Sequence, residues 1–208
     1  LVGIVTVDDV LDVAEEESTE DFQKMVAVAA LEGGYFQTPY ARMLTKRVPW
    51  LALLFVAELL TALSLSAFER SMGEKLLLLV MFMPLVNASA GNTGSQMAGL
   101  IIRGLAVQEM DVGDWMRVCL RELRMGLSLG AMLAALAVLA AMLFGRPWYV
   151  ALAVGLAMLI ALTIANLAGS MIPLGLKRLR LDPAVTSAPL IASLMDVLSV
   201  VIYFSIAM

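Results

Sequence analysis

From Leu76 to Ile102 the chain carries no charged residue, yet inside that run lies Pro84 to Gln96, reading PLVNASAGNTGSQ. Asn87, Ser89, Gly91, Asn92, Thr93, Gly94, Ser95 and Gln96 are polar or weaken a helix, and bare hydrocarbon would leave any freed carbonyl there without a partner. Such backbone lasts at membrane depth only against other protein or along a watery cavity. Two readings are open: a Gly/Ser packing face between transmembrane helices, or an unwound, oxygen-lined pathway. The density of amide and hydroxyl groups favours the pathway, and with it a helix interrupted at this motif.

The rest of the composition agrees with a lipid solvent. The chain is 61% hydrophobic with a mean hydropathy of +0.90, whereas soluble domains hold about 45–50% apolar residues. No histidine is present, which excludes imidazole acid–base chemistry and His-based zinc sites, and the lone Cys119 cannot close an internal disulfide. The acids gather at the front. Asp8, Asp9, Asp12, Glu15, Glu16, Glu17, Glu20 and Asp21 crowd one short span, with Lys24 the only base nearby, and so much like charge repels itself unless water or cations screen it.

The first residues, LVGIV, read as an apolar alternating strand that turns at Thr6 into a helix, with Thr6 and Asp9 spaced as a capping box. FQKMVAVAALEGG follows as a short helix stopped at Gly33 and Gly34. The chain opens at Leu1 in what reads as mid-fold, so a piece of a longer protein is expected, with no signal peptide in view.

Five apolar spans come next, at about 48–68, 76–107, 125–144, 148–176 and 184–208, each near or above the roughly 20 residues a bilayer requires. Ten bases (Arg42, Lys46, Arg47, Arg103, Arg117, Arg121, Arg124, Lys177, Arg178, Arg180) fall on one side and three (Arg70, Lys75, Arg146) on the other. That asymmetry puts the N-terminus in the cytoplasm and the C-terminus outside. The expected fold is an all-α integral membrane protein.

Asp196, in SLMDVLSVV, falls near the middle of the fifth span, where a carboxylate costs at least about 2.5 kcal/mol and normally faces the bundle interior or water. Glu58 in the first span is a second intramembrane acid, readable as an ion ligand, a proton carrier or a group that snorkels. Pro173 and Pro189 are expected to interrupt spans four and five, each freeing a carbonyl one turn earlier. The Met and Leu runs of spans three and four read as lipid-facing or packing surface. Only hard oxygen donors are on offer, which favours Mg²⁺, Ca²⁺ or Mn²⁺ over zinc or copper. Two copies meeting on a two-fold axis would set two Asp196 carboxylates against one divalent cation.

AGNTGSQ within Pro84 to Gln96, then IIRGLA, then DPAVTSAPLIASLMD, together resemble the signature of the MgtE family of magnesium channels and transporters. The likeness runs over the whole chain, since LVGIVTVDDVLDV resembles the closing strand and helix of a CBS domain. It implies a remnant of that cytoplasmic domain at 1–15, an acidic plug helix and linker at 16–46, and a pore domain at 47–208. It further implies a homodimer in the bacterial or archaeal cytoplasmic membrane, surrounded by lipid, with a pore lined by spans two and five. The hydrated ion would sit against Asp196 and backbone oxygens at Ala88, Gly91, Asn92, Ser95 and Ala192. Mg²⁺ would be both transported and regulatory, with Mn²⁺, Co²⁺ or Ca²⁺ as further candidates. Asp9, Asp12, Glu17, Glu20 and Asp21 match the acids whose repulsion cytoplasmic Mg²⁺ screens when it closes the pore. Ala90 and Ala188 depart from the family pattern, which often has Gly and Asn there, and because most of the CBS module is missing, closure by Mg²⁺ should be weak.

Two rivals carry different chemistry. A secondary transporter would exchange cations for protons or sodium through Glu58 and Asp196. An intramembrane hydrolase would pair the same carboxylates, but no HExxH or G-x-S-x-G motif supports it. No enzyme activity and no nucleic-acid binding are expected.

Overall fold

The computed structural model describes residues 3–26, 28–29, 36–73 and 76–208. Among the described residues all regular structure is helical: α1 (Val7–Met25), α2 (Tyr40–Met72), α3 (Leu76–Val80), α4 (Met83–Ala106), α5 (Trp115–Leu143), α6 (Trp148–Arg178) and α7 (Ala188–Ala207). Single 3₁₀ turns, Val112–Asp114 and Pro183–Val185, lead into α5 and precede α7. Four helices (α2, α5 with its leading turn, α6 and α7) are long and apolar enough to cross a membrane. The chain is therefore a multi-pass membrane protein.

α1 starts as its sequence dictates. The Asp9 amide donates to Thr6 Oγ1 at 3.3 Å and the Thr6 amide to Asp9 Oδ2 at 2.8 Å, closing the capping box. The strand expected before it does not form over Gly3–Val5, which is irregular; no neighbouring strand among the described residues offers a ladder. Leu1, Val2, the Gly33–Gly34 stop and Lys75 lie outside the described residues. Phe22–Met25, expected in a second short helix, complete α1 instead.

The glycines of the bundle locate its close crossings. α5 and α6 form an antiparallel hairpin: a Cβ on Gly126 would stand 3.0 Å from Thr163 Cα, and one on Gly130 only 2.8 Å from the Leu159 carbonyl. α6 is the central helix, with Val154, Ala157, Leu162 and Ala165 wholly buried. Its other side meets α4 at Gly94 and Gly169, where a Cβ on Gly169 would collide with the Gly94 backbone. α7 runs antiparallel to α4, from Ser95 against Ala188 at one end to Tyr203, whose hydroxyl donates to the Leu79 carbonyl at 2.8 Å, at the other. α2 runs parallel to α7. Glu58 approaches Asp196 and, further along both helices, Phe68 packs on Phe204 with ring centroids 5.4 Å apart.

Three expectations about breaks are corrected. The helix is not interrupted at the polar motif: α4 is continuous from Met83 to Ala106, and the break falls before it, in the turn at Met81–Phe82 that separates α3. The small residues serve close packing instead, and Thr93 turns its hydroxyl back to the Ser89 carbonyl at 2.8 Å, satisfying itself within the helix. Pro189 likewise does not interrupt a helix. It sits in the first turn of α7, where its missing N–H is no loss, after the cap supplied by Ser187. Pro173 does not interrupt its helix either: α6 runs unbroken through it from Trp148 to Arg178, and the proline only leaves the Gly169 carbonyl, at the α4 crossing, without a helical donor.

Candidate functional site

The residues singled out from sequence converge on the seam between α4 and α7. Gly91 rests on Ala192, a Cβ on the glycine standing 3.5 Å from Ala192 Cα, which brings the two backbones together. One turn further along α4, Ser95 Oγ donates to the Ala188 carbonyl at 2.8 Å. Asp196 lies one turn beyond Ala192 on α7, half-buried, with its carboxyl within hydrogen-bond reach of Glu58. Ala88 and Asn92 fall one turn apart on the exposed side of α4. Their helical carbonyls each spend one lone pair on the backbone and keep a second that can accept from a coordinated water. Two intramembrane carboxylates from separate helices, beside a seam of backbone and hydroxyl oxygens, form a hard-oxygen environment suited to a hydrated alkaline-earth cation.

The acidic helix meets the bundle at its C-terminal end. Met25 Cε stands 3.7 Å from where a Cβ on Gly99 would lie, one turn below Ser95 on α4. Lys24 Nζ bonds Asp182 Oδ2 at 2.7 Å and Glu20 Oε1 at 2.8 Å, tying α1 to the connection between α6 and α7. These two bonds hold the Lys24 ammonium above its usual pKa. Desolvation works to raise the Asp182 carboxyl, but the Lys24 bond and the Ala184 amide at 2.9 Å win and hold it below the usual range. Asp21 goes the other way, raised first by desolvation and then by the negative charge of Asp182. Asp9 is engaged in its cap, where the Thr6 side chain and backbone bonds lower its pKa. Asp12 and Glu17 face solvent. No three carboxylate, imidazole or thiol ligands converge among the described residues, so α1 alone assembles no closed metal cage.

A different buried acid was not singled out from sequence. Glu122 on α5 is 6% exposed. Asn166 Nδ2 donates both to its Oε2 at 2.9 Å and to its main-chain carbonyl at 2.8 Å, clamping α5 to α6. The signal was present in RVCLRELRMG and LTIANLAGS, an acid and an amide each set in an apolar helical pattern. Starting the third span at Met125 put Glu122 outside it.

Comparison with known proteins places these features in context. The MgtE family model, described as "Divalent cation transporter", matches residues 83–206, which takes in both helices of the seam. A protein named magnesium transporter MgtE from Thermus thermophilus is 42% identical over 207 residues, covering 100% of this chain and 46% of that protein. Proteins of the same name from Bacillus subtilis and Enterococcus faecalis are 36% and 37% identical, again over the whole chain and 45% of their own length. The chain thus spans about half the length of the curated relatives it matches.

Proposed function

This chain belongs to the MgtE family of divalent cation transporters, and from that premise we propose that it forms a Mg²⁺-selective channel for magnesium uptake across the cytoplasmic membrane. The observation that carries the reading is the α4–α7 seam, where Gly91 on Ala192 and Ser95 on Ala188 bring two helices close enough to line one path beside Asp196. In this reading the ion keeps its water shell. Asp196 supplies the charge, and the carbonyls of Ala88, Gly91, Asn92, Ser95 and Ala192 accept from the coordinated waters. A second protomer on a two-fold axis would complete the ring and bring its own carboxylate.

α4 acts as the fifth membrane span. Its polar motif dilutes its hydropathy, but it runs beside α6 and α7 along its length, and its direction opposite to α7 fits an N-terminus in the cytoplasm and a C-terminus outside. Residues 1–15 are the end of a CBS domain and 16–46 the plug helix and linker. α1 rests near Gly99 at the inner end of the path. Cytoplasmic Mg²⁺ would screen Asp9, Asp12, Glu17, Glu20 and Asp21 and favour this docked position, which shuts the path. Ions of related hardness, Mn²⁺, Co²⁺ and Ca²⁺, are the competing cargo.

One observation favours a second reading, exchange of a divalent cation against protons or sodium: the direct approach of Glu58 to Asp196. The two are separated by Mg²⁺ flux into liposomes carrying wild type or Asp196→Asn, with and without an opposing proton gradient. The channel reading expects flux driven by the Mg²⁺ gradient and membrane potential alone, and its loss in Asp196→Asn. Flux that requires the proton gradient, or survives the substitution, establishes the exchanger instead.

A further inference from the structure

Three arginines near the start of α5 share one side of the helix. Arg117, Arg121 and Arg124 fall within an arc of about 60° at 3.6 residues per turn, and all three are exposed. With Leu120, Met125 and Ser128 they line a shallow, open groove of about 470 Å³. Among the described residues Arg117 and Arg124 form no ion pair, and Arg121 reaches only Glu122, at 3.8 Å with its own side chain 79% exposed. The acids of α5 and its leading turn are already engaged. Glu122 turns inward to the Asn166 amide, and Asp111 and Asp114 close the capping box ahead of the helix. The Ser128 hydroxyl is spent on the Arg124 carbonyl at 2.9 Å. Guanidinium donors are thus the recognition groups the groove has left over.

These arginines also stand at a defined depth. α5 carries no charge from Met125 to Leu143, and at 1.5 Å per residue that stretch spans about 28 Å, close to the hydrocarbon core of a bilayer. Arg124 is the first residue outside it. Arg117 lies about 10 Å further out, against a headgroup layer of roughly 5–7 Å in each leaflet, a difference that flexible arginine stems can close. In the other direction Met132, Leu139 and Met142 continue the same side of α5, each more than half exposed. One stripe of the helix is therefore basic at headgroup depth and apolar at acyl depth.

We propose that this stripe binds one anionic phospholipid, its phosphodiester held by Arg117, Arg121 and Arg124 and an acyl chain laid along Met125 and Met132. The inference rests on the chain's place in a membrane and is independent of how the chain moves Mg²⁺. Guanidinium forks meet phosphate oxygens in paired hydrogen bonds and are more weakly hydrated than ammonium groups. A zwitterionic lipid offers the same phosphodiester but adds a cation, for which the groove has no carboxylate. A second copy of the chain fits less well, because a two-fold contact of this face with itself would set arginine against arginine.

Binding is read by native mass spectrometry of the purified chain, stripped of lipid in a neutral detergent and titrated with phosphatidylglycerol or with phosphatidylcholine of the same acyl chains. Wild type should take one phosphatidylglycerol per chain, about tenfold more tightly than phosphatidylcholine. Arg117→Gln, Arg121→Gln and Arg124→Gln should each weaken phosphatidylglycerol binding by about fivefold and the triple variant by about 100-fold. The exposed positions should leave the melting temperature unchanged. Arg178→Gln, at the neighbouring end of antiparallel α6 but outside the groove, should leave binding as it is. Equal affinity for the two lipids would overturn the proposal. So would a loss in Arg178→Gln as large as in the groove variants, the mark of unspecific attraction to basic surface. If glycerophosphoglycerol, the headgroup without its chains, competes as well as the intact lipid, the groove is a site for free anions and the lipid assignment falls. It falls too if the triple variant keeps its lipid and loses oligomeric mass, which would give the face to a second copy.

Discussion

Two membrane helices of this protein each carry a sequestered carboxylate, and their surroundings are opposite. Glu122 is enclosed between α5 and α6, and Asn166 gives it two bonds at 2.8 and 2.9 Å. Asp196 is half-open and faces another acid, Glu58 on α2. The first arrangement is complete without any guest, because the donors and acceptors already match. The second sets one carboxylate against another, so the difference between the two acids is a difference between a matched clamp and a like-charged pair, whose repulsion a hydrated cation would offset on the proposed channel reading.

That contrast can be broken by exchange of roles. The largest effect should come from Asp196→Ala, with Mg²⁺ flux down by at least about 100-fold, equivalent to about 3 kcal/mol of interaction with a charged group, while the melting temperature in detergent changes little. Glu122→Ala should do the reverse. It removes the carboxylate bond of the Asn166 amide, leaving only the one to the main-chain carbonyl, and destabilises the bundle by about 1–2 kcal/mol, read as an earlier thermal melt, while the Mg²⁺ to Ca²⁺ flux ratio of the protein that remains folded is unchanged. A fall in that ratio would show that Glu122 is more than a clamp. Gly169→Ala tests the crossing the two regions share. Its new methyl meets the Gly94 backbone, which cannot step aside as a flexible side chain would, and overpacking should destabilise by about 1–3 kcal/mol, with the flux ratio falling as α4 is displaced from α7.

The smallest effect concerns the docking of α1. Asp182 has a lowered pKa, so its contribution is present above the ordinary carboxylate range and lost as pH falls through its lowered value. Asp21 has a raised pKa, so its ionisation opposes docking as pH rises. Asp182→Asn should therefore loosen α1 at neutral pH and Asp21→Asn should tighten it, each by under about 1 kcal/mol because these groups are partly exposed. Amide hydrogen exchange of α1 in the two variants measures both signs, and a shift of the same sign in both would refute the assignment.

The helical membrane architecture, and a half-buried place for Asp196 within α7, were legible because a charge-free run and an isolated acid in an apolar span are statements about solvation, which composition records directly. The geometry of the motif was not. Gly91, Asn92 and Gly94 lower helix propensity, but α4 gains more from the approach of α6 and α7 at Gly94 than it loses, and propensity yields to packing. The same local statistics place Pro189 equally well in a broken helix or at a helix start, and only the Ser187 cap decides. The Glu122–Asn166 clamp escaped notice because its partners stand 44 residues apart, and nothing local to either announces the other.

The bond between Lys24 and Asp182 has a mechanical meaning. Asp182 caps the single 3₁₀ turn Pro183–Val185, and that turn passes directly into the first residues of α7. Two prolines, Pro183 and Pro189, bracket this passage and stiffen it. α1 is thus coupled to the helix bearing Asp196 by a short, rigid lever with almost no slack chain, and a displacement of the acidic helix by a few ångströms would be delivered to the foot of α7 before any loop could absorb it.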